Sequence, residues 1–451
     1  MLTVRTLGQQ RGIGGQQGVG QGNDMLTGKR IVLGVSGGIA AYKAADLTSK
    51  LQQAGALVDV ILTERAGEFV RPLTFSTLSH RPVYGSLWEP TGVAAARHIE
   101  LGTGADLLLI APATANTIAR LAHGLADDML SAVALACPAP LLLVPAMESH
   151  MYQHPATQAN LRTLEQRGAT IVPPEVGHLA SGEVGVGRFP ETAMILAHVR
   201  RVLGRDGELA GRRVVVTAGG TQEPIDPVRY VGNRSSGLMG FALAEEARDR
   251  GAEVTLIVGA SSAPLPPPVG IAIRHARTAL ELREAVREAL PEADALVMAA
   301  AVADYRPSAP AAEKIKKGSA AENADGSLTL KLVRNPDILA ELAAEDLAPA
   351  AVKVGFAAET TEVAANAGQK LRRKRLDLLV ANDVSKPGSG FGTQTNEVAL
   401  LHADGRVEEL PLLPKAEVAA AIWDRVAALL RARSRTPRGA AATADTADGG
   451  R

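Results

Sequence analysis

From Arg30 onward, short continuous apolar runs alternate with longer stretches of amphipathic spacing. Ile31-Val32-Leu33-Gly34-Val35 is the first run, Ser36-Gly37-Gly38 turns the chain, and the spacing from Ile39 to Gln53 predicts a helix. Val58–Leu62, Asp106–Ile110 and Leu141–Val144 read as further strands, and Pro190–Leu203 as a closing helix. The pattern breaks at Gly204–Gly211, which is polar and bounded by glycine. It then restarts, with a strand at Arg213–Thr217, a turn at Gly219-Gly220-Thr221, a helix over Leu238–Arg250 and a strand at Val254–Val258. Pro264–Pro268 is a stiff loop, and Ala295–Met298, Val352–Gly355 and Leu378–Val380 are strands. Strands that are apolar throughout, with helices between them, belong to parallel sheets covered on both faces. The predicted fold is therefore α/β, with two doubly wound, mostly parallel-sheet domains at 25–203 and 212–432 and a linker at 204–211. Ligands of such sheets sit beyond the carboxyl ends of the strands.

Composition narrows the function. Lys plus Arg and Asp plus Glu are both 48, so the formal net charge is zero and no overall basic footprint for nucleic acid exists. Two Trp, five Tyr and six Phe are too few for a base-stacking platform. A lone cysteine, Cys137, excludes an intrachain disulfide framework and a Cys-cluster metal site, and it suits a reducing compartment. No apolar run reaches the 18 residues a membrane span needs. Residues 1–24 are rich in Gly and Gln and lack the apolar core of a signal peptide. They read as a disordered leader, or as an upstream start with Met25 as the true first residue. Residues 433–451 read as a disordered tail.

Several strand ends carry candidate chemistry. Gly34-x-x-Gly37-Gly38-x-Ala40 lies where a strand hands over to a helix, a place where a phosphate can meet free N–H groups. It is not GxGxxG, so a mononucleotide or flavin phosphate suits it better than NAD; close strand–helix packing without a ligand is the alternative. Ala113, Thr114 and Asn116 follow another strand end, where a plain helix cap is the bland account. His98 is a candidate general base by residue type, although one of nine histidines is as readily structural. In the second half, Asn233-Arg234-Ser235-Ser236-Gly237 leads into a helix, and Asp304 after a strand end could meet a metal or a base. Lys314, Lys370 and Lys374 are point charges suited to polyphosphate, or else parts of a basic loop (Ser308–Asp325) and of a solvated helix face. The GxxxxGK[ST] phosphate loop is absent.

At these residues the chain resembles the bacterial bifunctional coenzyme A biosynthesis family, in which a phosphopantothenoylcysteine decarboxylase precedes a phosphopantothenate–cysteine ligase. The likeness runs from about Leu26 to Leu430. It implies a flavoprotein-type first domain and a Rossmann-like second one. Ser36, Gly37 and Gly38 resemble the family's FMN phosphate turn, Ala113, Thr114 and Asn116 its second flavin segment, and His98 in Arg97-His98-Ile99-Glu100-Leu101 its catalytic histidine. Asp226-Pro227-Val228-Arg229-Tyr230 matches the ligase, and Asn233 stands at its acyl-cytidylate-handling asparagine. The resemblance further implies Asp304, Lys314, Asn335, Pro336, Asp337, Ile338, Phe356, Lys370 and Lys374 as CTP contacts, with Lys314 also catalytic and Asp304 holding Mg²⁺. The implied substrates are CTP, 4′-phosphopantothenate and cysteine. The implied assembly is a cytoplasmic homo-oligomer of flavin-domain trimers and ligase-domain dimers.

Two positions depart from the family. Pro145-Ala146-Met147-Glu148-Ser149-His150-Met151 has Glu148 where the family has asparagine, and an ionised Glu would repel a substrate carboxylate. Ala180-Ser181-Gly182 puts Ser181 at the family's cysteine acid, and a hydroxyl is a far poorer acid than a thiol. Both fall in the decarboxylase half. They raise the alternative of a ligase whose flavin domain binds or regulates without catalysing. A flavin-containing interaction protein and a nicotinamide oxidoreductase are the other readings. Intact ligase motifs oppose the first and the missing GxGxxG the second.

Overall fold

The computed structural model describes residues 24–88, 97–316, 325, 327–359, 363–383, 388, 390 and 392–435. The leader to residue 23, the tail from 436, residues 317–324 of the basic loop, and Thr360 and Val384, which end the Gly355–Thr360 and Ala381–Val384 runs that also resemble the family's CTP site, lie outside them.

The first sheet contains β1 (Arg30–Val35), β2 (Leu57–Leu62), β3 (Val83–Tyr84), β4 (Leu107–Ala113), β5 (Leu141–Pro145) and β6 (Thr170–Ile171). Its order is β3-β2-β1-β4-β5-β6 and all pairings are parallel. Its strands read as unbroken apolar runs because both faces are buried. Ile31, Leu33 and Val35 pack in one core with Val60 and Leu109, whereas Val32 packs in another with Ile61 and Leu108. An antiparallel hairpin, β7 (Glu175–His178) with β8 (Val184–Arg188), stands apart from the sheet. Its glycine-rich sequence carries no apolar run.

The second half contains β9 (Arg213–Ala218), the hairpin β10 (Gln222–Pro224) and β11 (Tyr230–Gly232), β12 (Glu253–Val258), β13 (Ile271–His275) and β14 (Ala295–Met298). β15 (Tyr305–Pro307) and β16 (Leu332–Arg334) pair with each other, and β17 (Val352–Glu359), β18 (Leu378–Asp383), β19 (Thr395–His402) and β20 (Val407–Pro414) complete it. The main sheet runs β13-β12-β9-β14-β17-β18-β19-β20. It is parallel as far as β18 and antiparallel beyond. The last two strands extend the sheet past the predicted end at Val380. β19 opens on the polar Thr395-Asn396-Glu397 and its burial mostly alternates, although it carries the short apolar run Val398–Leu401 that the sequence reading passed over. Over this edge lies the Lys415–Arg435 helix, whose fully buried Trp423 donates its indole N–H to the carbonyl of Leu243 at 2.8 Å.

The segment 204–211, expected as a polar linker, is packed. Gly204 ends the Thr192–Gly204 helix, and Leu209 is fully buried in the second half's core. Arg201 donates to the carbonyl of Ala252 at 2.8 Å, and Arg200 pairs with Asp24 at 2.7 Å and with Asp249 at 3.6 Å. A β-carbon on Gly204 would lie 1.7 Å from the carbonyl oxygen of Asp249. Among the described residues, no helix is long and apolar enough to cross a membrane.

Gly204→Ala should therefore force the two halves apart at this seam. The expected cost is about 1–3 kcal/mol, or several degrees in the midpoint at ~2–4 °C per kcal/mol. Differential scanning calorimetry reads it, and an unchanged transition would show that the seam tolerates the methyl group.

Candidate functional site

β1 and β4 are neighbours although they are not consecutive, so the loops leaving their carboxyl ends open at one sheet edge. Ser36 ties those loops together. Its hydroxyl donates to the carbonyl of Pro112 at 2.7 Å and accepts the N–H of Thr114 at 2.9 Å, and the residue is 1% exposed. Ser36 is thus a clasp within the turn. Gly37 is required by packing, since a β-carbon there would sit 2.4 Å from Cβ of Arg65. Gly38 N-caps the Ile39–Tyr42 turn with no side-chain cap and is half-buried, a β-carbon there falling 3.5 Å from Cγ2 of Thr114, and Asn116 is exposed. Thr114 caps the Ala115–His123 helix through Thr117, and Ala113 is buried. Among the described residues, no hydrogen bond or ion pair links His98 to these loops. It lies half-buried on the Arg97–Thr103 helix, beside Arg97, whose guanidinium stacks over Tyr84 at 5.7 Å.

Glu148 and Ser181 belong to one assembly. The β7–β8 hairpin, with the exposed Ser181 at its tip, lies against residues 147–149. Met147 N–H donates to the carbonyl of Gly187 at 3.1 Å, and Ser149 Oγ donates to that of Val186 at 2.8 Å. A β-carbon would lie 2.0 Å from the carbonyl of Met147 at Gly187, and 2.1 Å from Ser149 Oγ at Gly185. The glycines of the flap are therefore what lets it seat. Glu148 caps the Ser149–Gln153 helix, accepting the N–H groups of His150 at 2.8 Å and Met151 at 3.2 Å. The His150 amide and then its imidazole hold the Glu148 carboxyl below the usual carboxylate range. It is ionised at neutral pH, and its capping contribution fades only as pH falls through that lowered value. The carboxylate faces the helix N-terminus rather than standing free.

The second half repeats the arrangement, with β9 beside β14. Thr217 Oγ accepts the N–H of Ala300 at 3.0 Å, and Thr221 Oγ that of Ala303 at 2.9 Å. These bonds stitch the two strand ends together and set the course of residues 300–304. Next to them opens a cavity of about 950 Å³. Asn233 and all of the predicted CTP contacts line it except Lys314 and Lys370, and the Asp226–Tyr230 motif lies off it. Asn233 donates its amide to the carbonyl of Val302 at 3.0 Å, and Asn335 to that of Ala303 at 2.7 Å. Asp337 caps the Ile338–Ala344 helix and pairs with Lys374 at 2.9 Å and Arg373 at 3.0 Å, so part of the predicted phosphate charge is already matched. Asp304 is exposed, and among the described residues no cation pairs with its carboxylate. Phe356, on β17, is half-buried at the cavity wall.

Asn382, from the Ala381-Asn382-Asp383 run that resembles the family's CTP site, also lines the cavity, and sequence reasoning missed Asn396 and Lys415, which line it too. Lys415 is 7% exposed and donates to the carbonyls of Gly390 at 3.2 Å and Thr393 at 2.5 Å, and burial pushes its pKa down. Its only sequence signal was a lysine opening the final helix, beyond strands that were not read. A second cavity, of about 790 Å³, lies in the seam between the halves and contains none of the predicted residues.

Residues 20–204 match the family described as Flavoprotein, and residues 209–430 the family described as DNA/pantothenate metabolism flavoprotein C-terminal domain. The chain is 46% identical over 398 residues to the coenzyme A biosynthesis bifunctional protein CoaBC of Vibrio cholerae, covering 88% of this chain and 97% of that one. It is 45% identical over 408 residues to the protein so named from Bacillus subtilis, covering 90% and 98%. The crystal structure of a CoaBC C-terminal domain is 36% identical, with a TM-score of 0.41 over 49% of this chain and 97% of that one. With both domain families present in order, and with this identity over almost the whole length of its relatives, the chain belongs to the family of coenzyme A biosynthesis bifunctional proteins.

Proposed function

We infer that this protein is a bifunctional enzyme of coenzyme A biosynthesis, which joins cysteine to 4′-phosphopantothenate at the expense of CTP and then decarboxylates the product to 4′-phosphopantetheine. The observation that carries the reading is the convergence of separate segments, from Asn233 to Lys374, on one cavity at the point where the second sheet's strand order reverses.

In the ligase half, the carboxylate of 4′-phosphopantothenate attacks the α-phosphorus of CTP and pyrophosphate leaves. The amine of cysteine then attacks the acyl carbon, and CMP leaves with the carboxylate oxygen. Asn233 orients the acyl group, its own amide held by Val302. Lys374, Lys370 and Lys314 neutralise phosphate charge, an electrostatic contribution that usually dominates such transfers. The uncompensated Asp304 carboxylate would hold Mg²⁺, which would offset charge on the nucleotide phosphates.

In the decarboxylase half, the loops clasped by Ser36 hold FMN, whose phosphate suits the uncapped turn at Gly38. Bound FMN supplies the reversible oxidation of the cysteinyl thiol that lets CO₂ leave. His98 takes the proton, and the hairpin carrying Ser181 closes over the substrate and excludes water. Because Glu148 is committed to its helix cap, it does not confront the substrate carboxylate directly. The working assembly is a cytoplasmic homo-oligomer of flavin-half trimers and ligase-half dimers. Leu73 and Trp88 in the first half and Val228 and Tyr230 in the second are large exposed apolar side chains available for such contacts.

Three outcomes test this reading. Lys314→Ala should cut pyrophosphate release, followed with CTP, 4′-phosphopantothenate and cysteine, by about 10- to 1,000-fold, at ~1.4 kcal/mol per decade. Wild-type turnover would remove Lys314 from the reaction. The flavin released on denaturation should be FMN, and recovery of FAD would contradict the single-phosphate site. Supplied with 4′-phosphopantothenoylcysteine, the wild type should release CO₂ and form 4′-phosphopantetheine, Ser181→Cys should do so faster, and His98→Asn should release none. Flavin-loaded wild type that evolves no CO₂ would leave a ligase with a non-catalytic flavin half.

A further inference from the structure

The Asp226–Tyr230 motif lines no part of the ligase cavity, yet its first residue is one of the most heavily engaged carboxylates in the molecule. Asp226 is 3% exposed. One oxygen accepts the N–H groups of Val228 and Arg229, each at 2.8 Å. The other accepts Nε of Arg229 at 3.0 Å, Nη2 of the same guanidinium, and the main-chain N–H of Ile315 at 3.2 Å. Nη2 of Arg229 also donates to the carbonyl of Ile315 at 2.9 Å. Both polar main-chain groups of Ile315 are thus gripped by one acid–base pair. The preceding turn is fixed as well, because Ala311 N–H donates to the carbonyl of Ile225 at 2.9 Å.

Ile315 follows Lys314 directly. The Lys314 side chain is exposed, and among the described residues nothing pairs with its ammonium. The main chain beneath that lysine is therefore anchored while its charge is left available. A buried carboxylate that only balanced a guanidinium would not need to reach across the sequence to a loop amide. Arg229, and then the amides around it, holds Asp226 far below the usual carboxylate range, so the grip does not loosen at any working pH.

We propose that Asp226 is a positioning residue of the ligase half, which sets the place from which Lys314 meets the nucleotide phosphates by gripping Ile315. The inference rests on the reading that Lys314 acts on those phosphates. A catalytic charge displaced by about 1 Å can cost on the order of 100-fold.

A double-mutant cycle in the full chain tests it, with pyrophosphate release as the readout for Asp226→Asn, Lys314→Ala and the pair. Asp226→Asn should lower kcat about 10- to 100-fold, with the KM for 4′-phosphopantothenate unchanged. In the Lys314→Ala background the same substitution should cost nothing further. An equal loss in both backgrounds would mean that Asp226 acts independently of Lys314 and would overturn the proposal alone. Wild-type turnover in Lys314→Ala would sink the reading beneath it, and the proposal with it. Should Asp226→Asn fail to fold, Ile315→Pro removes the gripped N–H while leaving Asp226 intact. It should reproduce the loss of kcat, and full activity in that variant would also overturn the proposal.

Discussion

A parallel sheet with a core on each face has only its strand ends left for chemistry. Both sheets obey that constraint. The cores fill the space above and below β1, β2 and β4 in one half and β9, β12 and β14 in the other. Each reversal of strand order, between β1 and β4 and between β9 and β14, then separates two loops at one edge. Polar groups in those loops go first into holding the loops themselves. Ser36, Thr217 and Thr221 each spend a hydroxyl on the neighbouring strand end. The ligand groups are borne on a frame rigid before anything binds, which is what electrostatic assistance to a transition state requires.

The strands legible in the sequence were those buried on both faces, because burial removes the polar alternation that obscures a strand. Val58–Leu62 and Ala295–Met298 were read almost to the residue for this reason. The unread elements have mixed burial or high glycine content. β19 mostly alternates, β20 is largely exposed, and the β7–β8 hairpin contains Gly177, Gly185 and Gly187. Motif chemistry located most of the ligase cavity, since those residues are polar groups in strand-end loops. It could not show that Lys374 is paired with Asp337, or that Lys314 lies off the cavity lining, because neither fact is local in sequence. Lys415 was invisible for the same reason.

The two departures from the family acquire a physical meaning in the fold. Glu148 caps the Ser149–Gln153 helix, a task that a carboxylate or an amide oxygen can perform, since both accept helix N–H groups. The difference is a charge held at a positive helix end, where it is favoured. Ser181 changes the acidity at the tip of a hairpin without touching the glycines that seat it.

The packed connection at 204–211 has a consequence for traffic between the halves. A swinging arm delivers a bound intermediate only if its tether has slack, and this one has Leu209 sealed in a core and Gly204 pressed against Asp249. Bringing one strand-end site to the other by a swing of the chain would have to break that packing, so the connection acts as a fixed joint between the halves and not as a carrier arm.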